Sequence, residues 1–236
     1  MRIPRIAHIV WNHRQVLESN HPMIKNGLRN LIDLNPDWQV TVYTPEDIDN
    51  DLRSLLSNAD YNTVRNRHFV SQIDLWRLFK MYNEGGLYMD IDKMVNIPLR
   101  DIIGENISWV LPTTRDYDFS CDVLLSAPFN PAYQTCYEMY LARVNSGWND
   151  QYFLGPQTYM HAVSHTLLGE IINTDPGIEA FTRLRTRISE LPFIKTYREV
   201  PFDDMLLYRG NRGSELENIK RDFYAREGIR HWTGDW

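Results

Sequence analysis

Glu84-Gly85-Gly86-Leu87-Tyr88-Met89-Asp90-Ile91-Asp92 carries an apolar run of strand type that ends on two carboxylates spaced i, i+2. In an extended chain such side chains point the same way, with Cα atoms about 7 Å apart. Two aligned carboxylates repel each other unless a cation sits between them. A hard divalent ion with oxygen ligands removes that repulsion and keeps positions open for further oxygen ligands. Standing alone, the pair equally describes two solvated acids at the end of a strand, so its surroundings decide the reading.

Upstream lies Ser71-Gln72-Ile73-Asp74-Leu75-Trp76-Arg77-Leu78-Phe79-Lys80-Met81-Tyr82, with apolar residues at 69, 73, 76, 79 and 82 on a helical period. Asp74 and Arg77 are three apart and share one face of that helix. An exposed pair of this kind is worth only about 0.2–0.5 kcal/mol. Gly85-Gly86 supplies the left-handed residue that stops a helix, after which the chain enters the strand. One acid and one guanidinium are thus delivered close to the base of the strand that carries Asp90 and Asp92.

Ser71-x-x-Asp74-x-x-Arg77 followed by Gly85-Gly86-x-Tyr88-x-Asp90-x-Asp92 resembles the core of the Asp-x-Asp sugar-binding-region glycosyltransferases. That group includes yeast-type initiating mannosyltransferases and the α-1,4-galactosyl- and N-acetylglucosaminyltransferases, and the catalytic core of the clostridial glucosylating toxins is similar. Further stretches resemble the same family. They are Ile3 to Trp11 as the opening strand, Asn35-Pro36-Asp37-Trp38 before a second strand, Gly155-Pro156 in the distal half, and His231-x-x-x-x-Trp236 at the C-terminus. The likeness is strongest over 69–98 and thinnest over 170–228. It implies an α/β fold of GT-A type, a Rossmann-like open mixed sheet, mostly parallel and flanked by helices.

The resemblance also implies roles. Asp92 is the direct metal ligand, and Asp90 serves ribose and sugar, with the metal reached through water. Asp74 and Arg77 contact hydroxyls of the donor sugar, and Arg77 offsets charge on a diphosphate. Trp11 stacks on the nucleotide base, with Val10 and Ile91 in the same nucleotide-sugar contact; the bland alternative for Trp11 is a core plug beside Val42. His231 is a third metal ligand, although a lone His is not usually one. A mixed carboxylate and imidazole site suits Mn²⁺ better than Mg²⁺. Trp236 donates its indole N–H to the β-phosphate. Asp235 stands where the family has Ser, which puts an extra acid near the diphosphate. Asp122 replaces a frequent Asn, and Gln157 could reach a sugar from a helix start. Arg183, Arg185 and Arg187 read as a solvated face.

Composition fits one compact domain, and the resemblance implies a single catalytic domain over 1–236, with a nucleotide-sugar half of about 1–126 and an acceptor-side half of about 127–236. With 236 residues, 43% of them apolar and 24% charged, the chain can bury a real core. A net charge of −6 argues against nucleic acid as a partner. No apolar run reaches the 18 residues of a spanning helix, which leaves room for peripheral membrane contact only. Cys121 and Cys136 make no disulfide framework and fit a cytoplasmic setting, unless the chain is a catalytic domain excised from an anchored protein.

Strands are expected at 5–11, 38–42, 86–90, 109–111, 123–125 and 193–200, the last pairing with 205–208. Helices are expected at 22–34, 47–56, 69–83, 130–144 and 157–168, and a loop at 61–68. The function implied is metal-dependent, retaining transfer of a hexosyl group from a nucleoside-diphosphate sugar, UDP favoured, to a glycan or glycolipid hydroxyl. Two rivals stand beside it. One is an inactive glycan-binding module, for which 7 Trp and 13 Tyr would serve sugar stacking. The other is an aspartyl-phosphate phosphatase, with Asp203-Asp204 as its distal acids and Met94 against it at the fifth place of its motif.

Overall fold

Among the described residues eight strands are set out along the chain: β1 (Ile6–Val10), β2 (Gln39–Tyr43), β3 (Gly86–Met89), β4 (Trp109–Leu111), β5 (Thr113–Arg115), β6 (Asp118–Phe119), β7 (Val123–Ser126) and β8 (Ile194–Thr196). The structure is a computed structural model, and it describes residues 2–93, 97–115, 118–119, 121–172, 178–196 and 215–229. Six of the strands form one sheet in the order β2-β1-β3-β7-β4-β8, and β5 and β6 make a separate ribbon. β1 runs parallel to β2 and β3, and β4 parallel to β8; β7 alone is antiparallel to its neighbours. The fold is therefore the expected mixed, mostly parallel α/β sheet. β8, from the distal half, is an edge strand of the same sheet.

Side chains alternate across the sheet, and each face has its own core. Ala7, Ile9, Leu87, Met89, Val110, Val123 and Leu125 face one way, packed on Met23, Ile24, Leu28 and Leu31. Val10, Tyr88, Trp109, Leu111 and Leu124 face the other, packed on Leu75, Trp76, Phe79, Tyr133 and Tyr140. Because successive residues of a strand point to opposite faces, Asp90 continues the Tyr88 face. The register Ala7↔Leu87 and His8↔Tyr88 brings the end of β1 level with Asp90, so Trp11 and Asp90 share the carboxyl edge of the sheet. Ligands of open α/β sheets bind outside that edge.

The helix Phe69–Asn83 is hemmed in on more than one side, with Leu75, Trp76, Leu78, Phe79 and Met81 all buried. It stops at Gly85 (φ 65°) and Gly86 (φ 89°). A Cβ on Gly86 would lie 2.4 Å from the Ile6 carbonyl oxygen, so β1 and β3 can pair only with glycine there. Nε2–H of His8 donates to the Gly85 carbonyl at 3.0 Å and fixes the turn from the β1 side. Gly86→Ala is expected to lower the urea midpoint well beyond the roughly 1–2 kcal/mol of a left-handed backbone alone. Gly147 has φ 85° and nothing within 4 Å of a Cβ, so Gly147→Ala isolates the backbone cost. Equal losses in the two variants would refute the close approach.

Three expectations about elements need correction. Of residues 61–68 only 66–68 are loop: Asn58–Arg65 is a helix, capped by the Ser57 side chain, which accepts from the Asp60 N–H, and it buries Tyr61 and Val64. Pro156 does not open a helix. It sits inside a π-helical stretch, Phe153–Gln157, that leads into the helix Thr158–Leu168. The helices Ile178–Ser189 and Glu215–Arg226 went unread. The helix Ile178–Ser189 does carry the three arginines on an exposed face, with Arg183 paired to Glu170 at 2.7 Å. Residues 205–208, and with them the proposed pairing, lie outside the described residues.

Candidate active site

Asp74 and Arg77 are not an exposed pair. Both side chains are less than 8% exposed, and Arg77 Nη2 meets Asp74 Oδ1 at 2.6 Å. The other arm of the guanidinium, Nη1, lies 3.8 Å from Asp90 Oδ1. Arg77 also covers the Tyr88 ring, 5.3 Å from its centroid. The Tyr88 hydroxyl donates to Asp90 Oδ1 at 2.7 Å. Burial raises the pKa of Asp74, and the Arg77 charge opposes it. Arg77 Nε is buried and has no hydrogen-bond partner among the described residues.

Asp90 is the open member of the set, with 38% of its side chain exposed. Its backbone N–H donates to the Asp122 carbonyl at 2.9 Å, which anchors the end of β3 to the start of β7. Loss of hydration, reinforced by the neighbouring charges of Asp92 and Asp122, pushes the Asp90 carboxyl up to about 6 against the pull of Arg77.

Asp92 is held by two lysines. Lys93 Nζ lies 3.5 Å from Asp92 Oδ1 and 2.9 Å from Asp122 Oδ2. Lys220, from the helix Glu215–Arg226, contacts Asp92 Oδ2. Burial alone would raise the Asp92 pKa, but Lys220 and Lys93 outweigh it and hold the carboxyl below the ordinary range. Burial would likewise strip the Lys93 proton, and Asp122 and Asp92 prevent it. Among the described residues Asp74, Asp90, Asp92 and Asp122 lie with Arg77, Lys93 and Lys220 in one charged cluster. Asp92 Oδ1 is buried without a hydrogen-bond partner among the described residues. An open carboxylate and, two residues on, a buried carboxylate oxygen whose described contact is a long one to Lys93 fit a hard cation. Among the described residues no set of three acid, His or Cys side chains forms a complete metal cage.

Trp11 follows β1 and is 6% exposed. Its ring is stacked on Phe223 at 5.0 Å and meets Tyr224 edge-on at 5.5 Å. Its indole N–H points at Glu227 Oε2, 3.4 Å away, and the same oxygen binds His13 at 2.6 Å. His21 donates to Asp222 at 3.1 Å. The expected open stacking face of Trp11 is therefore covered in this structure by the helix Glu215–Arg226, which also supplies Lys220. Val10 and Ile91 are buried apolar residues flanking Trp11 and Asp90. Gln157 is buried in the π-helical stretch rather than presented at a helix start. His231, Trp232, Asp235, Trp236, Met94 and Asp203-Asp204 lie outside the described residues.

Lys93 and Lys220 were missed in the sequence. Lys93 directly follows Asp92 and was in plain view. Ile219 and Phe223 of the helix Glu215–Arg226 have helical spacing, but they fall in the stretch where the family likeness is thinnest. Gly155 was noted only for its resemblance. A Cβ on it would lie 2.6 Å from Asp74 Oδ2, so it is the floor against which Asp74 rests.

Residues 21–109 match the family described as "Glycosyltransferase sugar-binding region containing DXD motif", a span that holds Asp74, Arg77, Asp90 and Asp92. That agrees with the family resemblance read from Ser71 to Asp92, and it is what this part of the chain is similar to. The chain is also similar to inositol phosphoceramide mannosyltransferase 1 of Schizosaccharomyces pombe, 26% identical over 160 residues. That match takes in 64% of this chain and 46% of the relative, so it spans about half the length of that protein. In fold the chain resembles the PaToxG glycosyltransferase, with a TM-score of 0.52 and 14% identity over 71% of this chain and 70% of the other.

Proposed function

We propose that this protein is a metal-dependent glycosyltransferase. It moves a hexosyl group from a nucleoside-diphosphate sugar, UDP-linked in our reading, to a glycan hydroxyl with retention at the anomeric carbon. The observation that carries the reading is the open Asp90 carboxylate beside Asp92 Oδ1, which makes no hydrogen bond among the described residues and has only a 3.5 Å contact to Lys93, at the carboxyl edge of the central strand. The similarity to a mannosyltransferase of Schizosaccharomyces pombe supports a hexosyl donor. Asp90 and Asp92 would hold Mn²⁺ or Mg²⁺. The ion would neutralise the leaving diphosphate. Arg77, fixed by Asp74, faces the same edge and adds a second positive group where charge develops. Asp74, set against Gly155, is placed to take a sugar hydroxyl once a donor is bound. Lys220 must withdraw from Asp92 for an ion to enter, and Phe223 must leave Trp11 for a base to stack there.

The test is a panel of UDP- and GDP-hexoses with and without Mn²⁺, read by thermal shift and by release of the nucleoside diphosphate. A cognate donor at 100 times its Kd should stabilise the protein by about 2.7 kcal/mol. It should be hydrolysed slowly, in a manner abolished by chelator. No shift and no release with any donor would overturn the proposal. A shift without release would make the chain a sugar-nucleotide binding module. Trp11→Ala should weaken the free nucleotide more than it slows chemistry, and unchanged calorimetric affinity would contradict that role.

A further inference from the structure

An aromatic cluster stands on the same edge of the molecule. The helix Pro131–Asn145 follows the antiparallel strand β7, so its end returns to the side where β3 ends. Two contacts fix that return: the Tyr140 hydroxyl donates to the Ser71 carbonyl at 2.6 Å, and Arg67 donates to the Val144 carbonyl at 3.2 Å. Trp148, Tyr152 and Phe153 come next in the chain, 46%, 46% and 39% exposed. Phe153 meets Trp148 edge-on at 6.0 Å and Tyr152 at 6.1 Å. Two residues later Gly155 rests on Asp74. Phe153 is thus within about 7 Å of Gly155 at the Cα atoms, one short step from the sugar end of the candidate site.

The rings are held, not loose. Phe153 N–H donates to Asp150 Oδ1 at 3.1 Å, and Leu154 N–H to the Asp150 carbonyl at 3.0 Å. Arg143 donates to the Phe153 carbonyl at 3.2 Å and to Thr158 Oγ1 at 2.6 Å. Its guanidinium lies 5.5 Å from the Trp148 ring centroid. Exposed aromatic groups on a rigid backbone mark a binding surface. A bilayer is a poor occupant. Membrane-surface patches combine apolar rings with Lys and Arg, whereas this turn carries Asn149, Asp150 and Gln151 between its rings, and its nearby arginine is engaged with the protein. Asn149 and Asp150 are exposed beside the rings.

Resting on the glycosyltransferase reading above, we infer that Trp148, Tyr152 and Phe153 form the platform for a polyhydroxylated acceptor, a glycan chain. The apolar faces of its pyranose rings lie on the aromatic side chains, while the exposed Asn149 meets its hydroxyls. The chain is thereby led toward Asp74 and Asp90.

Saturation-transfer NMR with maltotetraose, cellotetraose and mannotetraose tests this on the intact protein. At least one tetrasaccharide should receive saturation from wild type and none from Trp148→Ala/Tyr152→Ala. With that sugar as acceptor, the double variant should raise its KM by about tenfold or more at unchanged kcat and unchanged donor hydrolysis. Tyr152→Phe, which keeps the ring, should restore most of the affinity. Three results overturn the inference. They are no contact between wild type and any tetrasaccharide, contact that survives the double variant, or loss only of co-sedimentation with phosphatidylcholine–phosphatidylglycerol vesicles. Absent donor hydrolysis in wild type would strike the transferase reading alone, because NMR scores the platform without a donor.

Discussion

Asp92→Asn is expected to lower hexosyl transfer by roughly 10²–10³-fold, the scale of losing one electrostatic contact to developing charge. The substitution keeps the shape of the side chain and removes the charge that a divalent ion would meet. The fold should survive, because Lys93 keeps Asp122 at 2.9 Å as its counter-ion. Manganese affinity, measured by calorimetry, should fall with the rate, and full turnover in excess chelator would end the metal role. Lys220→Gln should act in the opposite sense on binding. Lys220 competes with the ion for Asp92 Oδ2, so its removal should tighten manganese binding while lowering the melting temperature. If affinity stays level, the ion does not enter at Asp92. The Asp92 carboxyl is held below its unfolded value by Lys220 and Lys93 in spite of burial. Its pairing therefore stabilises the fold at neutral pH, and that contribution declines only as acid takes the pH below about 4.

The centre of this site was readable because each of its parts has a short-range cause. Period-3.6 apolar residues, two glycines and an apolar strand fix Asp74, Arg77, Asp90 and Asp92 relative to one another within 19 residues of chain. What closes over them was not readable. Lys220 and Phe223 reach Asp92 and Trp11 from more than 120 residues away. Nothing in the local pattern of Glu215–Arg226 says which surface that helix will cover. Local propensity misled at Asn58–Arg65, where polar residues suggested loop. The two residues that dock this helix, Tyr61 and Val64, are spaced three apart in an otherwise polar stretch. At Pro156 the sequence rule that proline opens a helix met a tertiary constraint. Gly155 has to lie against Asp74, and the backbone widens into a π turn there.

That constraint gives the sharpest structural prediction. Gly155→Ala adds one methyl group, yet its Cβ would stand 2.6 Å from Asp74 Oδ2 and 3.2 Å from Asp74 Cγ. Something must shift, and Asp74 has little room to do so. Its other oxygen is bound to Arg77 at 2.6 Å, and both groups are buried. If Asp74 swings away, Arg77 loses its partner, and a buried charge without its partner costs about 3–5 kcal/mol. If the π turn moves instead, the stretch carrying Tyr152 and Phe153 moves with it. Either route displaces a group that faces the sugar, so donor turnover should drop by about 10²-fold, as a displacement of about 1 Å typically does. The two routes separate in the data. Loss of the Arg77 pairing appears as a lower unfolding midpoint and a weaker donor. Displacement of the turn leaves the midpoint nearly unchanged and weakens the acceptor. Asp74→Ala/Gly155→Ala isolates the clash: with the carboxylate gone the added methyl has nothing to strike, so the double variant should be no less stable than Asp74→Ala alone. Additive losses in that cycle would mean that Gly155 and Asp74 are not in contact, and Asp74 would lose its support.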